Sequence, residues 1–137
     1  MAHSHDTPRD LTRNQGLVLG TLAQSSGPLS AYDILDKLRD EGLRAPLQIY
    51  RALDKLVERG LAHRLESLNA FVACADAHCH RKGLIAFAIC ENCGHVNEFA
   101  DEVIEERLSA WTKQTGFKPE RTTMEIRGRC EMCAKAA

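Results

Sequence analysis

Apolar residues recur at helical spacing in three short stretches near the start of the chain. Leu17, Val18, Leu19 and Leu22 mark a first helix from an N-cap at Thr12 to about Ser25, ended by Gly27 and Pro28. Ser30, with Asp33 three residues on, forms a capping-box-like start; Ile34, Leu35 and Leu38 supply the buried stripe of a second helix that Gly42 stops. Pro46 suits the first turn of a third helix, in which Ile49, Leu53, Leu56 and Val57 repeat until Gly60. Three short helices with brief connectors predict a helix-turn-helix core. The period then shortens. Leu61 to Leu65 and Phe71 to Cys74 read as strands of a hairpin around the turn-prone Ser67 and Asn69, and helices followed by such a hairpin make a winged helix.

Beyond a polar stretch, the order changes again. Leu84 to Ile89 reads as a buried strand, Cys90 to Gly94 as a turn, and Val96 to Phe99 as a returning strand. Val103, Ile104, Leu108 and Trp111 form the expected inner face of a helix from about Asp101 to Thr115, closed by Gly116, and Thr122 to Arg127 alternates in strand fashion. The reading is therefore an α+β chain: a winged helix-turn-helix domain over residues 1–75, a hinge over 76–83, and a small α/β dimerisation and metal-binding domain over 84–137 with a helix suited to pairing with a copy of itself. Residues 1–10, with His3 and His5, show no periodicity and read as a loose arm.

At 137 residues the chain fits one ordinary domain or two small ones, each short of core, which excludes a large enzyme. Its longest apolar run, Leu84 to Cys90, is far below the roughly 20 residues that cross a bilayer, and no signal-peptide h-region opens it. No membrane association is expected, and a cytoplasmic location is. Net charge is −1, from 18 basic and 19 acidic residues, so a polyanion partner must be met locally. From Gly42 to Arg64, Arg44, Arg51, Lys55, Arg59 and Arg64 face only Asp54 and Glu58.

Cysteine is the louder signal. In a reducing compartment, cysteines at tight regular spacing read as metal ligands rather than disulfides. Cys90-x-x-Cys93 and Cys130-x-x-Cys133 each offer two thiolates from one tight turn, and together they complete a tetrahedron suited to structural zinc. Redox pairs or reduced core cysteines are the plainer readings, but neither predicts two matched pairs in one small domain. A second site is suggested by the hairpin. If residues 67–70 form its loop, 66 faces 71, 65 faces 72 and His63 faces Cys74, close enough to share a cation. Further ligands could come from Asp76-Ala-His78-Cys79-His80, and Glu98 offers a carboxylate from the second domain. The thiolate disfavours magnesium or manganese.

Together these residues resemble the ferric uptake regulator family, and within it the zinc-sensing branch. The likeness runs along nearly the whole chain, through Ser30-Ala-Tyr-Asp-Ile-Leu35, Ile49-Tyr-Arg-Ala-Leu-Asp54, His63-Arg-Leu-Glu-Ser67 and the two C-x-x-C pairs. The resemblance implies structural zinc on Cys90, Cys93, Cys130 and Cys133, and regulatory zinc on His63, Cys74, His80 and Glu98, with His78 or Cys79 as substitutes for His80. That makes about two zinc ions per chain. It implies a homodimer bound to double-stranded operator DNA with inverted half-sites, repressing zinc-uptake genes, with no small organic substrate. Iron sensors of the family carry histidines before the first C-x-x-C; Gly83 to Ile89 has no ligand, which disfavours iron, and an iron- or peroxide-sensing regulator of the same family is the alternative.

The third helix is expected in the major groove. Arg51 would read a guanine edge, Tyr50 and Gln48 would contact bases or sugars, Tyr32 would reach in from the second helix, and Arg44, Lys55 and Arg64 would meet phosphates. Where relatives often place a later arginine, Arg13 stands as a substitute phosphate contact. A small zinc hydrolase or deaminase is the rival from another class. The H-x-E and P-C-x-x-C pattern of the deaminases is absent, and four protein ligands leave zinc no open position.

Overall fold

A computed structural model describes residues 11–74, 84–120 and 122–136. The chain divides into two compact units, Met1–His80 and Arg81–Ala137; the expected hinge, residues 76–83, lies outside the described residues.

In the first unit, α1 spans Arg13–Gln24, α2 Ala31–Leu38 and α3 Pro46–Glu58. The starts of α1 and α2 are set by reciprocal side-chain caps. Thr12 Oγ1 accepts from the Gln15 amide at 3.2 Å while Gln15 Oε1 accepts from the Thr12 amide at 3.1 Å. Ser30 and Asp33 do the same, at 3.1 Å each way. Each pair satisfies two amides that a helix start otherwise leaves open. After α2, one 3-10 turn, Arg39–Glu41, ends on Gly42 at φ 95°, a left-handed position that glycine adopts without strain. Ile49, Ala52, Leu53 and Leu56 of α3 turn inward against Val18 and Leu22 of α1 and Ile34, Leu35 and Leu38 of α2. Each buried Leu or Ile contributes roughly 1.5–3 kcal/mol against exposure, which holds three short helices that would not persist alone.

The hairpin packs on this core through Ala62 and Phe71. Strand β1 (Ala62–Leu65) pairs antiparallel with β2 (Ala70–Ala73), and Phe71 forms a two-bond bridge to Leu29, between α1 and α2. The register differs from that expected: the loop is 66–69, not 67–70, so His63 faces Val72 rather than Cys74. Asn69 decides this. It takes the left-handed conformation at φ 50° and closes the turn with its amide on Glu66 O at 3.3 Å, releasing Ala70 to the strand. Cys74 consequently sits across from Leu61, whose carbonyl accepts from its amide at 2.9 Å, diagonal to His63 on the same side of the ribbon.

The second unit is a three-stranded sheet in the order β4-β3-β5. Central β3 (Leu84–Cys90) runs antiparallel to β4 (Val96–Phe99) and parallel to β5 (Thr122–Gly128), with α4 (Glu102–Thr115) making the crossover between the two edges. Asp101 caps α4 by accepting from the amides of Val103 and Ile104, and Gly116 ends it at φ 73°. Two expectations are corrected here. The apolar stripe of α4 is not an inner face in the single chain: Val103 is 67% and Trp111 53% exposed, and the Trp111 ring meets that of the similarly exposed Phe117, centroids 5.7 Å apart. A short terminal helix, α5 (Glu131–Ala136), stands where no element was expected. Its six residues carry no apolar period, and its one large apolar side chain, Met132, is exposed. Among the described residues, no helix is long and apolar enough to cross a membrane.

Leu53 is fully buried at the meeting of the three helices. Leu53→Ala should destabilise the first unit by about 2–5 kcal/mol through the cavity it leaves. Chemical denaturation followed by far-ultraviolet circular dichroism checks this; an unchanged midpoint would mean that the helices do not share this core.

Candidate metal centres and nucleic-acid face

Four sulfur atoms meet at one end of the sheet. Cys90 is the last residue of β3, Cys93 lies in the turn that follows, Cys130 follows β5, and Cys133 is on α5. Strand register brings the two pairs together, because β3 and β5 run parallel with Cys90 opposite Gly128, and the Glu91 amide donates to Gly128 O at 2.8 Å. Gly94, at φ 81°, donates to Cys90 O at 2.9 Å and folds the first pair back on itself. All four sulfurs lie within 4.8 Å of one another and none is in a disulfide. Cys93 Sγ and Cys130 Sγ are 3.8 Å apart. A tetrahedron with Zn–S bonds of about 2.3 Å has S···S edges of about 3.8 Å, whereas a disulfide needs about 2.05 Å. The donor chemistry and spacing therefore fit a closed four-thiolate zinc centre.

The surrounding amides prepare the site unevenly. The Cys93 amide, 3.4 Å from Cys90 Sγ, and the Cys130 amide hold the Cys90 thiol down to about 5. At Cys93 the His95 amide favours the thiolate, but the Cys90 sulfur, burial and the Cys130 and Cys133 sulfurs outweigh it and push the thiol up to about 11. Cys133 is also raised: Asn92 Nδ2 donates to its sulfur at 3.2 Å, yet the Cys130 and Cys90 sulfurs prevail. One thiolate forms readily, and crowding then opposes the next unless a cation is present. Asn92 was not singled out from the sequence; its position inside the first C-x-x-C, with an amide side chain able to reach a sulfur, is the signal that could have found it.

The second set is split between the units. His63 is 7% exposed, and burial lowers its pKa, so the ring is neutral near pH 7 and able to ligate. Its ring nitrogen and Cys74 Sγ lie within 4.8 Å of each other despite the shifted register, because the diagonal keeps both side chains on one side of the ribbon. Cys74 is disulfide-bonded in the structure, a form that offers no thiolate, so ligation there requires reduction. Glu98 stands half-buried on β4 in the second unit. His80, His78, Cys79, His3 and His5 lie outside the described residues.

On the first unit, burial of Ile49, Ala52, Leu53 and Leu56 leaves Leu47, Gln48, Tyr50, Arg51, Asp54 and Lys55 on the outer side of α3. Tyr32, at the start of α2, is 60% exposed, and Arg44 is exposed just before α3. Lys55 pairs with Glu58 at 3.3 Å, and Arg64 with Glu66 at 3.7 Å while donating to Asn69 Oδ1 at 3.1 Å and lying 6.0 Å over the Phe71 ring. Exposed pairs of this kind are worth about 0–1 kcal/mol and exchange readily for a phosphate. Two residues have structural roles that the sequence did not suggest. Gln48 Oε1 accepts from the amides of Arg44 and Ala45, at 3.0 and 3.1 Å, and so caps α3. Arg13 is tied to Glu41, donating to its backbone oxygen at 3.0 Å. Leu47, which falls outside the apolar stripe of Ile49, Leu53, Leu56 and Val57, is 57% exposed on the same outer side.

A model described as the ferric uptake regulator family matches residues 10–127. The zinc uptake regulation protein of Escherichia coli strain K12 is 35% identical over 128 residues, spanning 91% of this chain and 73% of the relative. Among solved structures, one described as holo XcZur aligns with a TM-score of 0.81 at 39% identity, over 93% of this chain and 87% of that one. A zinc uptake regulator complexed with zinc and DNA aligns with a TM-score of 0.82 at 34% identity, over 91% and 83%.

With Cys93 and Cys133 raised and Cys90 already ionised near neutrality, zinc entering metal-stripped protein at about pH 7 should displace at least two protons from this centre, and apparent affinity should climb with pH. Calorimetric titration in buffers of differing ionisation enthalpy measures the release; a count below one would remove the four thiols as the ligand set.

Proposed function

The chain belongs to the ferric uptake regulator family, and from that premise we propose that it is a zinc-responsive repressor acting in the cytoplasm, which binds inverted-repeat operators in double-stranded DNA as a homodimer and controls zinc-uptake genes. The observation that carries this reading is the attachment of a His63–Cys74 donor pair to the hairpin that directly follows the exposed face of α3. Members of the family are transcription regulators, and the chain is not an enzyme.

About two zinc ions are held per chain. Cys90, Cys93, Cys130 and Cys133 hold one, and His63, Cys74, His80 and Glu98 hold the other. The first ion, when bound, supplies the charge that lets four crowded sulfurs ionise together, and a structural centre of this type is worth on the order of 10 kcal/mol of folding free energy. The second set draws on His63 and Cys74 before residues 75–83, on His80 within them and on Glu98 after them. His63 and Cys74 hold the hairpin end and Glu98 the second-unit end, so filling the set restricts how freely the reading head moves. Such a set shifts a population from 1:99 to 99:1 only if it favours the DNA-binding arrangement by roughly 5.5 kcal/mol. A thiolate and two imidazoles in the set, with relatives named for zinc, favour zinc over iron.

At the operator, Arg51 offers a planar pair of donors to a guanine edge, the commonest specific contact in the major groove. Tyr50 and Tyr32 flank it, Gln48 has only its side-chain N–H donors left to offer a base, and Arg44, Lys55 and Arg64 supply phosphate contacts. The exposed stripe of Val103, Leu108 and Trp111 on α4 supports dimerisation, since its burial in a second copy removes apolar surface from water.

The test is a zinc titration of reduced protein whose four-cysteine centre is already filled, with operator binding followed by fluorescence anisotropy. Affinity should rise at least tenfold as the second equivalent binds, Arg51→Ala should abolish sequence preference, and omission of reductant should blunt the zinc response through Cys74. Operator affinity indifferent to zinc would defeat the proposal.

A further inference from the structure

Helix α3 begins with Pro46, Leu47 and Gln48, and in a helix-turn-helix the opening residues of the second helix meet the base edges. Pro46 fixes the entry angle of the chain and is half-buried. Gln48 has turned its oxygen back onto the amides of Arg44 and Ala45. Leu47 is the side chain left on the outer side of that turn, 57% exposed, with Tyr50 and Arg51 three and four positions on and therefore on the same side of the helix. Arg44 and Lys55, at either end, give this strip the charge that suits a phosphate backbone.

A leucine has no donor or acceptor, so in the major groove it can distinguish bases by one feature only, the C5-methyl group of thymine. Resting on the reading of this face as the operator-binding one, we propose that Leu47 is a specificity-determining residue that packs on a thymine methyl in each operator half-site, next to the base pair read by Arg51. Exposure of Leu47 in the free protein is then held by its role in the bound one, where the contact takes both the leucine and the methyl out of water.

The test uses full-length, zinc-loaded, reduced protein. An operator is first selected from a random duplex pool, and each thymine in it is then replaced singly by deoxyuridine, which removes only the methyl. For the natural protein, one position per half-site should lose about fourfold in affinity, the equivalent of one methyl buried. Leu47→Ala should bind thymine and uracil duplexes alike at that position, while Leu47→Met should keep the discrimination. Equal melting temperatures would show that Leu47→Ala is folded, as its exposure leads one to expect. Discrimination that survives in Leu47→Ala would assign the methyl to another residue and overturn the proposal. So would a selected operator in which no thymine matters. If no duplex is enriched at all, the operator-binding reading fails and takes this inference with it.

Discussion

Four sulfurs held within reach of one cation are the constraint on which the second unit depends. Among its described residues, the buried apolar side chains all come from a single strand: Leu84, Ala86, Phe87 and Ile89 of β3, with Cys90 at its end. The helix α4 adds none, and both edge strands are half-exposed or more. A sheet of three strands with so small an interior does not offset the conformational entropy of 57 residues. In the proposed function two additions make up the difference: a cation on the cysteine pairs, tying β3, β5 and α5 at one end, and a second copy over the exposed stripe on α4. The same sparsity leaves the apolar stripe of α4 exposed in the single chain.

The first unit is built on the opposite principle. Its three helices bury a shared apolar interior without a staple, and its two capping boxes and the Gly42 turn set where α1 begins and where α2 begins and ends. That leaves the outer side of α3 free of structural duty except at Gln48. The bridge between Leu29 and Phe71 joins the hairpin to the α1–α2 connection, so the segment bearing His63 and the helix bearing Arg51 are parts of one packed body.

Most of this was legible in the sequence where a local pattern decides the outcome. Thr12 as an N-cap, Ser30 with Asp33, and glycines after α2 and α4 mark helix ends because the chemistry that satisfies open amides lies within a few residues. The cysteine pairs were legible for the same reason. What was not legible depends on competition over longer range. The hairpin loop was displaced by one residue because Asn69 adopts the left-handed conformation, which Ser67 was equally placed to suggest by composition alone. Trp111 and Val103 have the period of an inner face, but period says only that a face is apolar, not what covers it. Gln48 has the polar side chain of a base reader and spends its oxygen on a cap, a choice fixed by the extended backbone at Ala45.

The parallel pairing of β3 with β5 has one more consequence. Because Cys90 stands opposite Gly128, the interval between the two cysteine turns is measured in strand register rather than in chain length. Added or deleted residues between Gly116 and Thr122 would only lengthen or shorten a surface connection. A single residue gained inside β5 would slip the ladder, invert which side each of its residues presents, and carry Cys130 away from Cys93. Homologues diverging in size at the first location but never at the second would be the mark that selection leaves on a fold ruled by this alignment.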